Sequence, residues 1–169
     1  VEQVTVYSQS FSKSMNVNNV YAGQTINGID VFNSVSSFAI KAGLVVNANV
    51  SFIDDASSKV NASTPSITAE AAITRAAQNL GINSPSQLEL IDNNGLNYLF
   101  NNGNISLNEI PVKLVYQPMP DQTLRLSWDL SIYLLDASHY YSVRIDALSG
   151  ELIDTIDCNS GLHLKGKYL

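Results

Sequence analysis

The sequence predicts an α+β fold: antiparallel sheets built as hairpin meanders, one main helix packed on a sheet, and two adjacent subdomains. Three observations carry this expectation. Apolar and polar residues alternate on both sides of Asn27-Gly28, a dipeptide that favours a two-residue hairpin turn. A single stretch, Ala69 to Leu80, places its apolar residues at helical spacing. Beyond it the period of two returns, most clearly in Leu124, Leu126, Trp128, Leu130, Ile132 and Leu134.

Taken in order, Val1–Tyr7 alternates and reads as a strand, and Ser8–Asn19, rich in Ser and Asn, reads as a loop. Val20–Ile26 runs into the Asn27-Gly28 turn, where both residues can take positive φ, and Ile29–Ile40 runs back. Ala42-Gly43 turns the chain again into Leu44–Ile53. Asp54–Ser66 has linker composition. Thr68 is placed to cap the helix, with Glu70 in its first turn and Gly81 at its end. Extended segments follow at Leu88–Ile91, Leu96–Phe100, Ile110–Gln117, Leu124–Leu135 and Tyr140–Ile145. Ser149-Gly150 then turns Val143–Ala147 into Glu151–Ile156. Arg125, Ser127, Asp129 and Ser131 mark the face of the long strand expected to be wet. The expected organisation is a β subdomain at 1–55, a linker at 56–66, an α+β subdomain at 67–157 and a patternless tail or linker at 158–169.

Composition narrows the function classes. The 169 residues are 45% apolar and 14% charged, with a net charge of −6. That balance suits a globular core and argues against nucleic acid and anionic membrane as partners, since both reward basic patches. No window approaches the ~18 apolar residues of a spanning helix. Val1 is not a Met and no leader-like segment begins here, so the chain is expected to begin inside a larger precursor, after removal of a signal, or at an artificial boundary, and a fragment fits. Cys158 is alone and gives neither a disulfide framework nor a thiol-pair metal site. Asn49, Asn61 and Asn104 open glycosylation-type triplets, weak signals in so Asn- and Ser-rich a chain.

No catalytic constellation emerges. His139 and His163 lie too far apart for a zinc pair four residues apart on a helix. Asp92-Asn93-Asn94-Gly95 lacks the spacing of a calcium loop and reads as a turn. Asp54-Asp55 reads as a solvated pair, and no Gly-x-Ser-x-Gly elbow or phosphate loop is present. Neither cofactor nor metal is expected.

The stretch Tyr21-Ala22-Gly23-Gln24-Thr25-Ile26-Asn27-Gly28-Ile29-Asp30-Val31-Phe32-Asn33 resembles the propeptide motif of fungalysin- and thermolysin-type metallopeptidase precursors, with its Tyr-x-x-Gln-x-x-x-Gly-x-x-Val core. Ile67–Gly81 and the segment from Tyr141 to Leu152, including Asp146 and Gly150, are similar to the PepSY-type second half of such propeptides. Pro111–Tyr116 and Leu126-Ser127-Trp128-Asp129-Leu130 resemble the fungalysin branch in particular. The resemblance spans roughly Val20 to Asp157. It implies the pro-region of a secreted zinc metallopeptidase: an intramolecular inhibitor and folding helper, removed by proteolysis, with the cognate catalytic domain in cis as its partner and no catalysis of its own. Tyr21, Gln24, Asn27, Gly28, Val31, Asn33, Trp128, Asp129, Asp146 and Gly150 are the motif positions expected to be structural or to contact that partner. The motif supplies no position that ligates the enzyme's zinc. The competing expectation is a stand-alone extracellular binding or adhesion module.

Overall fold

The computed structural model describes residues 1–159 and the strand Leu162–Lys165. Strand makes up 50% of the chain and helix 9%. The fold is therefore mostly β, which overturns the α+β class with a main helix on a sheet. The reason is proportion. Among the described residues the one α-helix is 12 residues long, while polar stretches without an apolar signal turn out to be strand.

The chain divides into two compact units. The first comprises Val1–Val60 and Pro118–Leu124. It holds β1 (Glu2–Ser12), β2 (Val17–Ile26), β3 (Ile29–Val31), β4 (Ser36–Lys41) and β5 (Leu44–Asn49). Strand β2 is the hub. β1 pairs along it from Glu2 opposite Ile26 to Ser12 opposite Val17. β4 pairs with its first half and β3 with its end. β5 follows β4. The segment expected as a loop, Ser8–Asn19, is instead mostly strand, with a turn only at residues 13–16. Its residues are polar on both sides because β1 is exposed along almost its whole length, so no alternation advertises it. Asn27 and Gly28 take φ of 51° and 83°, the left-handed pair that the tight reversal requires. Ala22, Ile26, Ile29, Val31 and Ala56 are buried here.

The second unit comprises Asn61–Gln117 and Arg125–Leu169. Its helix α1 (Ala69–Leu80) begins where the Thr68 hydroxyl accepts the Ala71 N–H at 3.1 Å. It ends at Gly81, φ 69°, whose N–H reaches Ala77 and Gln78, while Ile82 N–H bonds the Ala77 carbonyl. The stripe Ala69, Ala72, Ile73, Ala76 and Ala77 is buried, and the helix lies beside β10 and β11. The strands are β6 (Leu90–Asn93), β7 (Asn97–Phe100), β8 (Ile110–Pro118), β9 (Leu124–Tyr133), β10 (Tyr140–Asp146), β11 (Leu152–Asp157) and β12 (Leu162–Lys165). They neighbour one another in sequence order from β6 to β12. β8 and β9 reach into the first unit only at Pro118 and Leu124.

Three further expectations are corrected. Ser127 and Arg144 are fully buried and Asp154 nearly so, so the face opposite Trp128 is not simply wet. The Asp54–Ser66 stretch is fastened rather than free. The Asn61 amide oxygen accepts the Leu126 N–H, the Ala62 carbonyl accepts the Tyr116 hydroxyl, and Ser66 and Ile67 both donate to the Ala147 carbonyl. The tail at 158–169 contains β12, paired antiparallel with β11. Residues 160–161 and 166–169 lie outside the described residues.

Candidate partner interface

The motif positions in the first unit act mainly on their own fold. Gln24 is buried in β2, and its side-chain amide closes a two-bond ring on the backbone of Ile53: Nε2 donates to the carbonyl at 2.8 Å and Oε1 accepts the N–H at 2.9 Å. That mimics strand pairing and ties the end of the β5 excursion back to β2. The Gln24 N–H donates to the Ser34 hydroxyl at 2.9 Å. Asn27 accepts from the chain's first amino group, and its N–H donates to the Val1 carbonyl at 2.9 Å. Val31 is buried, and Asn33 sits at φ 57° in the turn that leads to β4. Tyr21 is exposed on β2. The Tyr7 ring lies so close over Gly23 that a Cβ there would collide with it. The Tyr7 hydroxyl donates to Asp30 at 3.1 Å, and burial together with that carboxylate pushes its pKa up to about 12.

In the second unit Trp128 is buried. Its indole N–H donates to the Ile67 carbonyl at 3.0 Å, and Tyr98 meets it edge-on at 5.6 Å. Asp146 holds the β10–β11 turn, accepting the N–H groups of Leu148 and Ser149 at 2.8 and 3.0 Å on one oxygen. Its other oxygen meets Arg125 at 3.4 Å. Gly150, φ 76°, completes that turn, with Arg75 packed against it. Asp129 lies 3.6 Å from the buried Arg144, which is itself bonded to Asp154 at 2.7 Å. Burial raises the Asp129 pKa, opposed by the charges of Arg144 and Lys113. Asp129, Lys113, Ser131 and Pro111 are among the residues lining a groove of about 240 Å³. Small-molecule sites span roughly 300–1,000 Å³, so this one is undersized as well as open. His139 bonds Asp157 at 2.7 Å and stacks on Tyr141 just before β10. Cys158 is exposed and unpaired as a disulfide. Among the described residues no group of three metal-ligating side chains converges, and no helix is long and apolar enough to cross a membrane.

What stands out instead is surface. At the tip of the β4–β5 hairpin Leu44, Val45 and Val46 are 71, 59 and 56% exposed. A strand sends successive side chains to opposite faces, so three consecutive aliphatics leave apolar surface on both. Sequence reading placed the turn at Ala42-Gly43 but missed this surface; the available signal was the unbroken aliphatic run where alternation should have been. Arg144 was missed too, because it alternates with Ser142 and Asp146 and so reads as part of a wet strand face. Gln24 and Ile53 are 29 residues apart, and nothing local links them.

No family model matches the chain, and no curated protein matches it.

Proposed function

We propose that this chain is the pro-region of a secreted zinc metallopeptidase, acting by binding its catalytic domain and by no chemistry of its own. The motif resemblance from Tyr21 to Asn33 and from Tyr141 to Leu152 supports the class of partner. The observation that carries the binding role is the apolar run Leu44 to Val46, exposed just after the β4–β5 turn, with Lys41 opposite Leu44 as the charge at that end of the hairpin. Exposed contiguous apolar surface of this kind marks protein contacts.

The physical logic is linkage. A domain that binds only the folded or nearly folded enzyme stabilises it by mass action. A tether raises its effective concentration to about millimolar, so a modest intrinsic affinity blocks the cleft, and cutting the tether removes the advantage. Calorimetric titration of the catalytic domain with the chain tests this reading. Saturable binding is expected, weakened at least ~tenfold by Leu44→Asp with Val46→Asp. Absence of binding, or capture of a glycan or a non-peptidase protein with equal avidity, overturns it in favour of a stand-alone binding module.

A further inference from the structure

We propose that the free edge of β1 pairs with β1 of a second copy, so that the chain forms a symmetric dimer through one continuous antiparallel seam. Among the described residues β1 hydrogen-bonds only to β2, leaving its other edge without a partner strand. Exposed edges are usually blunted by proline, by charge, by shortness or by a bulge. β1 is 11 residues long, contains no proline and carries one charge, at Glu2; its one such device is a bulge at Tyr7.

The register makes the case for a second copy. β1 slips by one residue against β2 between Val6 and Ser8, leaving Tyr7 as a bulge. Val4 and Val6 pair with Gln24 and Ala22, whereas after the slip Phe11 pairs with Asn18. The slip therefore carries Phe11 onto the same face as Val4 and Val6, a face that strict alternation from Val6 would have denied it. All three are more than half exposed. The other face carries Gln3, Thr5, Ser8, Ser10 and Ser12, with the ring of Tyr7 laid over Gly23.

Two such strands laid antiparallel about a twofold axis beside the bulge have one register that pairs the apolar Val4 with Phe11 and brings Glu2 to Lys13, the first residue of the turn after β1. Glu2 stands opposite Lys13 of the second copy, Val4 opposite its Phe11, and Val6 opposite its Gln9. The symmetry repeats each pair, so the seam gains two Glu–Lys pairs at its ends and two Val–Phe pairs inside them, with the two bulges meeting at the centre. Charge is thus self-complementary, and the apolar face of each β1 is continued by the other. This rests on the edge of β1 and not on the pro-region reading, so either can fail alone.

Sedimentation equilibrium over a concentration series reads it directly. The mass should climb from 18.3 kDa toward twice that value. Lys13→Glu sets two like charges against each other at each end and should weaken association at least tenfold, as should Val4→Glu. Combining Glu2→Lys with Lys13→Glu restores both pairs and should restore the dimer, even though Glu2 also accepts the Ser57 N–H and hydroxyl within its own chain. Circular dichroism of each variant confirms that the sheet is intact. A mass fixed at 18.3 kDa, or a dimer indifferent to Lys13→Glu, overturns the proposal.

Discussion

Gln24 does with one side chain what a neighbouring strand does with its backbone. Its amide supplies both the donor and the acceptor that the half-buried Ile53 peptide groups need. Gln24→Leu fills the same space but leaves both groups of Ile53 unmet, at a cost of about 1–3 kcal/mol. The urea midpoint should fall with an unchanged slope. Asp129 makes a prediction in pH. Burial raises its pKa above the ordinary 3.8, and Arg144 and Lys113 oppose that rise without cancelling it. The folded protein therefore holds this proton more tightly than the unfolded chain does. The stability associated with the group is highest in acid and is lost as pH rises through the folded value. Asp129→Asn removes the charge, so the variant should be at least as stable as the parent at neutral pH, with the difference fading as the pH drops toward 3.8. Urea midpoints at several pH values measure this. A variant clearly less stable at neutral pH means that the Arg144 contact outweighs burial.

At the scale of elements, legibility followed from whether a residue's task is local. Asn27-Gly28 and Ala42-Gly43 reverse the chain by their own φ values, and Thr68 and Gly81 bracket α1 by bonding within a turn of themselves. All four could be read from sequence. Thr68→Ala removes the cap and should cost about 1 kcal/mol, read as a lower melting temperature. The second half of β1 and all of β12 could not be read. β1 is exposed on both faces beside β2 and carries Ser and Gln where buried strands carry aliphatics. The fastening of Asp54–Ser66 was equally hidden, because Asn61 finds Leu126 and Ala62 finds Tyr116 only after folding. This changes where the chain should be nicked. Backbone held by hydrogen bonds resists proteases, while exposed turns yield. Limited trypsin digestion should cut first after Lys13 or Lys41, at the exposed β1–β2 and β4–β5 turns, and more slowly after Lys59, whose carbonyl is bonded by the Leu124 N–H. First cleavage at Lys59 would contradict this.

For the molecule as a whole, buried polar groups serve structure, and exposed apolar groups remain unexplained by it. Arg144 bonds Asp154, Asp146 holds the β10–β11 turn and Gln24 holds the Ile53 backbone. None of the motif residues converges with others on a reactive centre, whereas Leu44, Val45 and Val46 have no internal role that their exposure betrays. The candidate site was legible only as a family pattern: its residues hold the turns and rings of the scaffold, and the surface proposed to meet the partner, Leu44 to Val46, is not among them. The inhibition curve of the zinc peptidase's catalytic domain, titrated with this chain, addresses that claim most directly. A saturable fall in initial rate, reversed once the chain is digested away, is the expected result. An initial rate unmoved at micromolar chain would contradict the account.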